Sequence, residues 1–368
     1  MTRTRLYIHV GTHKTGSTAI QHALRQNQFA LREENLVFLP LPGNVRSLML
    51  LKELDYDIIE LFKRELNRQV TYNQKKEGEG VRFLMSWEGF SGNPLSGYKN
   101  AGIVAEHLKK ITDYMDVRII VYLRRQDDFL ESLYTQKIHE GESYTFQSFI
   151  ETYSTSLFDW ERFLHCYSEH FGKENVIARR YDKAFLPESD SLLKDFSQVV
   201  GIDNEQLLSH IDTLTPNRGY SRDALEIARL SNPHLSNDER QYMRRILQQT
   251  SSKQPFERYS FWDNEKRDAF LAQYLESNAT VAKAYFNEPS GALFPSSNIG
   301  DEDQVYQGLS LETVTLVLVK AIVTERKPKT ESVLLQVLVK VERKISAFLN
   351  RFPRLKSELR YLSQKLGV

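Results

Sequence analysis

The chain has 368 residues, 40% of them hydrophobic and 26% charged, with a formal net charge of +1. That suits a globular protein with one large domain or two smaller ones and excludes a general polyanion binder, so no nucleic-acid partner is expected. The single cysteine, Cys166, excludes an internal disulfide framework and suits a reducing compartment, and it stands beside Phe163, Leu164 and Tyr167 as a buried thiol would.

The first element is an apolar strand at 5–10. It runs into Gly11-Thr12-His13-Lys14-Thr15-Gly16-Ser17-Thr18, and an amphipathic helical pattern follows at 17–32. Strand, glycine-containing turn and helix start together make an anion cradle. The first N–H groups of a helix point outward unpaired, and the helix dipole favours negative charge there. Lys14 adds a full positive charge, and Ser17 and Thr18 add hydroxyl donors. The turn is not a Walker A loop. Gly11 and Gly16 have its separation, but Ser17 stands where its lysine belongs, and Lys14 comes two residues before the second glycine. A lysine at the front of the turn faces a group being transferred rather than the terminal phosphates of a nucleoside triphosphate.

Further strands are expected at 36–39, 81–86, 117–123 and 175–180, with helices near 47–72, 100–114, 126–139 and 158–171. Such alternation predicts an α/β fold, a mainly parallel sheet covered by helices on both faces. Ligands of such sheets bind outside the carboxyl ends of the strands. The strand at 117–123 ends at Arg124, and Ser132 follows eight residues later inside a helix. A guanidinium grips a phosphate with two parallel hydrogen bonds, and a helix hydroxyl adds one donor. Arg125 is one residue short of that spacing, and the competing role for Arg124 is a surface salt bridge with Asp127 or Asp128.

Lys14-Thr15-Gly16-Ser17-Thr18 resembles the 5′-phosphosulfate loop of sulfotransferases that use PAPS (3′-phosphoadenosine-5′-phosphosulfate). Arg124 with Ser132 is similar to that family's 3′-phosphate element. The resemblance is to bacterial, carbohydrate-type members, covers roughly residues 5–296, and rests on these two motifs. It implies a sulfotransferase domain over 1–296 that moves a sulfuryl group from PAPS to a hydroxyl, with PAP as product and no metal. It implies cofactor contacts at Lys14, Thr15, Gly16, Ser17, Thr18, Arg124 and Ser132, with Lys14 also balancing charge on the bridging oxygen. The acceptor it favours is a carbohydrate, on a surface polysaccharide, glycolipid or oligosaccharide. A small alcohol, a phenol and a peptide tyrosine stay open.

A hydroxyl acceptor needs a base. Glu88, just past the strand at 81–86, is the first candidate, Glu34 with Glu33 the second and His13 the third. Capping a turn, carrying helical surface charge and shaping the loop are their respective alternative roles. Two other classes stand beside the transferase. A P-loop kinase or NTPase is opposed by the displaced lysine, and a non-catalytic nucleotide-binding scaffold of the same fold by the presence of Lys14, Arg124 and Ser132.

Residues 201–296 read as mostly helical, with Ser221 a helix cap and Asn217 and Arg218 either touching the nucleotide or capping a helix. Residues 278–286 resemble the closing helix of bacterial members. Residues 297–368 read as a basic amphipathic helical extension. From Leu334 to Leu366 apolar residues recur in alternating steps of four and three, interrupted by Pro353, and residues 326–368 hold eleven Lys/Arg against three Asp/Glu. Through residues 330–368 such a tail can pair with a second copy, lie on an anionic membrane, hold an anionic substrate or pack on its own domain. With no charged-then-apolar leader and no bilayer-length run, the expected location is the cytoplasm, at the inner membrane face if the tail meets lipid.

Overall fold

The computed structural model describes residues 3–41, 52–153, 158–187, 192–202, 219–250, 261–295 and 308–325. The chain divides into two compact units, Met1–Leu309 and Ser310–Val368.

The first unit is built on five strands: β1 (Arg5–Val10), β2 (Leu36–Phe38), β3 (Arg82–Trp87), β4 (Asp116–Leu123) and β5 (Val176–Arg180). All neighbours pair in parallel, in the order β2-β3-β1-β4-β5. The helices are α1 (Ser17–Gln26), α2 (Gln28–Glu33), α3 (Tyr56–Glu77), α4 (Ala101–Ile111), α5 (Gln126–Glu140), α6 (Phe146–Tyr153), α7 (Trp160–Phe171), α8 (Leu192–Val200), α9 (Arg222–Ser231), α10 (Asn237–Thr250), α11 (Asn264–Ala272) and α12 (Leu275–Phe286).

The strands are apolar almost throughout because both faces are covered. On one face Tyr7, Leu84, Ile120 and Tyr122 pack with Ile20 and Leu24 of α1, Leu31 of α2 and Phe196 of α8. Side chains of alternate parity point to the other face, where α7 lies against β4 and β5 and α4 against α7. From β1 the chain moves outward to β2 and returns through β3; from β4 it moves the opposite way to β5. The connections after β1 and β4 thus part, which opens a crevice above the carboxyl ends of these strands. Register brings the exits side by side, since Val10 pairs with Trp87 and His9 with Ile120.

The three tryptophans of the chain all flank this edge. Trp87 ends β3, Trp160 donates its indole N–H to the Arg124 carbonyl at 2.9 Å, and Trp262 donates to the Asp127 carbonyl at 3.4 Å. Trp160 belongs to an aromatic block with Tyr98, Phe129 and Phe163, in which its ring lies 6.3 Å from Tyr98.

Two expected helices need correction. The pattern at 17–32 is two helices, broken at Asn27, whose Nδ2 turns back on the Ala23 carbonyl at 3.0 Å and ends α1. The pattern at 47–72 is α3 at Tyr56–Glu77. Asp55 caps it by accepting from the Ile58 N–H at 3.0 Å, and Gly78 at φ 104° stops it. Residues 47–51 lie outside the described ones. The other expected strands and helices up to 180 fall on β1–β5, α4, α5 and α7, their ends coinciding or differing by up to three residues. Ser221 caps α9 by accepting from the Ala224 N–H at 3.3 Å.

In the second unit α13 (Leu311–Glu325) exposes Leu311, Leu316, Leu318 and Val319. The repeat from Leu334 to Leu366 lies outside the described residues. Among the described residues no helix is long and apolar enough to cross a membrane.

Candidate functional site

The loop leaving β1 carries two left-handed residues, Lys14 at φ 66° and Gly16 at φ 80°. For lysine that conformation costs about 1 kcal/mol, so the surroundings must hold it. Any other residue at Gly16 would be strained by its positive φ, and its Cβ would press on the Leu192 side chain, 2.2 Å from Cδ2. Threonines fix the rest of the curve. Thr15 Oγ1 donates to the Thr12 carbonyl at 2.6 Å, and Thr12 Oγ1 donates across to the Tyr122 carbonyl of β4. Helix α1 then starts at Ser17 with no side chain capping its N-terminus and no acidic residue in its first turn. Its leading N–H groups and the partial positive charge of the dipole therefore face the loop. Ser17 is buried and reaches the Thr12 carbonyl at 3.5 Å, while Thr18 is exposed.

Arg124, directly after β4, donates from Nη1 to the Lys14 carbonyl at 2.9 Å, and its guanidinium lies 5.7 Å from the centre of the Tyr181 ring. The salt bridges open to Arg124 from the sequence belong to Arg125 instead. Arg125 is buried against Asp127 at 2.6 Å and Asp128 at 3.5 Å, and Arg267 of α11 closes on Asp127 from the other side. With both aspartates engaged, Arg124 is left to the loop. Ser132 is half-buried on α5, about 9 Å along the helix from its start.

Glu88 follows β3 immediately and opens a short 3₁₀ turn, Glu88–Ser91. Burial raises its carboxyl above the ordinary range, and the charge of Lys14 opposes that rise. His13 is pinned by Tyr98, whose hydroxyl accepts from the His13 N–H at 3.0 Å and lies 3.3 Å from Nδ1. Burial and then the charge of Lys14 push the His13 imidazole down to about 4, so it is neutral at physiological pH. The remaining pair is a misplacement. Glu33 and Glu34 end α2 just before β2 begins, and the Glu34 carbonyl accepts from Arg82 at 2.9 Å at the start of β3. They lie at the amino end of the sheet, opposite Lys14, because α2 carries the chain back there before β2.

The Lys14 ammonium is brought down to about 8, first by burial and then by Arg124. Glu88 and Glu140 pull the other way, and Arg244 lowers it further. Lys14, Glu88 and Arg124 thus meet at the carboxyl ends of three adjacent strands, β1, β3 and β4. The charges of Glu140 on α5 and Arg244 on α10 also act on Lys14, and that of Lys14 acts on His139. Their bearing on Lys14 is not readable from the sequence, because they stand more than a hundred residues from it along the chain. Asn217 and Arg218 lie outside the described residues. The Cys166 thiol is half-buried, and burial raises it above its ordinary range, as befits a packed side chain rather than a nucleophile.

No family model matches the chain. Over 181 residues it is 28% identical to an uncharacterized protein of Archaeoglobus fulgidus (strain ATCC 49558 / DSM 4304 / JCM 9628 / NBRC 100126 / VC-16), a match covering 48% of this chain. The chain spans 49% of the length of that curated relative. Among solved structures it is similar to the sulfotransferase from Alicyclobacillus acidocaldarius, with 14% identity, a TM-score of 0.34 and coverage of 66% of this chain and 100% of that one. It is also similar to the sulfotransferase domain from the curacin biosynthetic pathway, with 13% identity, a TM-score of 0.31 and coverage of 74% and 98%. Likeness at that level leaves function to the chemistry of the site.

Proposed function

We propose that the chain is a PAPS-dependent sulfotransferase, acting through residues 1–296, that moves a sulfuryl group to a hydroxyl of a carbohydrate. The observation that carries this reading is the meeting of Lys14, Glu88 and Arg124 at one edge of the sheet, with Arg124 bonded to the Lys14 carbonyl. The donor set fits a phosphosulfate. Two cations, an uncapped helix N-terminus and the hydroxyls of Ser17 and Thr18 stand together around a loop whose Thr12 and Thr15 hydroxyls are turned inward. The carbohydrate class follows the resemblance of the two motifs to bacterial carbohydrate-type members.

PAPS, when bound, supplies a sulfuryl group on a phosphate leaving group. Lys14 balances the negative charge that builds on the bridging oxygen. The α1 N–H groups with Thr15, Gly16, Ser17 and Thr18 hold the 5′-phosphate, and Arg124 with Ser132 holds the 3′-phosphate. Glu88 takes the proton of the attacking hydroxyl, since its raised carboxyl is a stronger base than an exposed glutamate. His13 stays neutral and, through Tyr98, keeps the loop in shape.

Calorimetric titration with PAP beside ATP–Mg²⁺, on the wild-type chain and Arg124→Ala, tests the reading. PAP binding that weakens in the variant is expected. Preference for ATP–Mg²⁺ would move the chain to the P-loop NTPases. PAP binding without sulfuryl transfer to any member of a glycan panel would make it a nucleotide-binding scaffold.

A further inference from the structure

The three indoles at the carboxyl edge of the sheet are not equivalent. Trp160 and Trp262 are buried, and each commits its N–H to a backbone carbonyl, that of Arg124 and that of Asp127. Trp87 is only half-buried, and its N–H donates to no described residue and is open to solvent. A buried indole usually finds a partner for its N–H, whereas one left half in water is suited to a binding surface.

The Trp87 ring has a fixed seat. It lies against Gly89, two residues beyond the end of β3, where a Cβ would stand 2.2 Å from Cη2 and 2.3 Å from Cζ2 of the indole. The buried Phe90 meets it edge to face, with ring centres 5.4 Å apart at 87°. The indole therefore projects past the strand and alongside the turn that Glu88 opens. Ser91 closes that turn by donating to the Glu88 carbonyl at 2.6 Å, and its hydroxyl also lies 3.4 Å from the Gly11 carbonyl. The turn is thus held against the loop that carries Lys14. Trp87 itself pairs with Val10, the last residue before that loop.

Topology decides which ligand the indole meets. Strand β1 stands between β3 and β4, which are about 10 Å apart across it. In the transfer reading the nucleotide runs from the loop after β1 to Arg124 after β4. The β3 side is left to the acceptor, whose hydroxyl lies between Glu88 and the loop, and the ring bearing that hydroxyl extends over the neighbouring indole. A pyranose presents a rigid patch of C–H bonds that suits a flat aromatic face, rimmed by hydroxyls that an indole N–H can meet. Resting on the transfer reading above, we propose that Trp87, seated on Gly89 and Phe90, is the platform on which the sugar ring of the acceptor stacks.

The test uses the full chain labelled with 5-fluorotryptophan, which gives three fluorine NMR signals, that of Trp87 assigned by its loss in Trp87→Phe. With PAP bound, methyl β-glucoside, methyl β-galactoside and methyl N-acetyl-β-glucosaminide are titrated in turn, with sorbitol as the acyclic control. At least one glycoside should shift the Trp87 signal saturably and leave those of Trp160 and Trp262 in place, and sorbitol should move none. Trp87→Phe should keep most of the affinity for that glycoside, read by saturation-transfer NMR. Trp87→Leu should weaken it roughly two- to tenfold, the scale of one aromatic contact. Gly89→Ala, which keeps the indole but forces it off its seat, should weaken it likewise. PAP affinity should stay within about twofold of wild type in all three. Bound PAP with a Trp87 signal that no glycoside moves, or sugar affinity that survives both Trp87→Leu and Gly89→Ala, overturns the inference and leaves the transferase reading standing. Loss of PAP affinity in Trp87→Leu, with the Trp160 and Trp262 signals unchanged, assigns the indole to the nucleotide and overturns it equally. A wild-type chain that does not bind PAP overturns the transferase reading itself, and the platform with it.

Discussion

Raising the pH should release the nucleotide's main electrostatic anchor. Burial and the charges of Arg124 and Arg244 hold the Lys14 ammonium down to about 8, so the cation is present below that pH and lost above it. If PAP binds only the ammonium form, the apparent dissociation constant scales as one plus ten to the power (pH − 8). The factor is about 1.1 at pH 7 and about 11 at pH 9, a tenfold weakening equivalent to about 1.4 kcal/mol. A phosphate monoester loses its second proton near pH 6, so the ligand's charge is constant across this window. The bound anion favours the ammonium form, so above pH 8 binding takes up a proton. Titrating PAP calorimetrically in roughly half-unit steps, in two buffers of different ionisation enthalpy, reads both the slope and the proton count. Lys14→Met should bind more weakly throughout and show no slope from pH 7 to 9. A flat wild-type profile, or the same slope in Lys14→Met, refutes the assignment of Lys14 to the phosphosulfate.

Lys14→Ala should abolish sulfuryl transfer, while Arg124→Ala should raise the nucleotide dissociation constant by roughly ten- to a hundredfold with less effect on turnover at saturation. An unchanged KM in the Arg124 variant would remove it from the nucleotide. Asp127→Ala leaves Arg125 and Arg267 buried without their shared carboxylate, and urea unfolding should register a loss of about 3–5 kcal/mol. Glu131 is buried on α5 and accepts from the Phe261 N–H at 3.0 Å; burial first, and then Asp128, raises its carboxyl to about 7. A raised folded-state value means the native state holds more protons between about 4.5 and 7, so its contribution to stability falls as pH rises through that window. Glu131→Gln should flatten the fall, and a stability profile identical to wild type would show that Glu131 ionises freely.

Strand ends were the most legible part of this chain. An apolar run that stops at Gly11, Trp87 or Arg124 marks the carboxyl edge, and in a parallel sheet that edge is where ligands gather. The spacing of Lys14, Gly16 and Ser17, and of Arg124 and Ser132, was likewise local and readable. Helix limits were less so. Asn27 breaks α1 from α2 with a side chain that turns back on the preceding helix, and the polar residues between Gln69 and Glu77 hide the final turns of α3. Contacts between helices distant in the chain were not legible at all. His139, Tyr220 and Arg244 are far apart in the chain: α9 packs against α5 and α10 against α9, and the His139 ring lies 4.1 Å from that of Tyr220. Which of Arg124 and Arg125 turns to the loop also depended on distant residues, since Arg267 shares Asp127 with the buried Arg125.

The position of the tryptophans gives the molecule its own optical gauge. Trp160 is bonded to the Arg124 backbone, Trp262 to that of Asp127, and Trp87 directly precedes Glu88. An indole's emission follows the polarity and charge around it, and here every indole of the chain borders the same edge of the sheet. Intrinsic fluorescence should therefore change when an anion settles on the loop, and stay constant when one binds elsewhere. Candidate nucleotides and acceptors can be ranked by that signal alone, without label or substrate turnover.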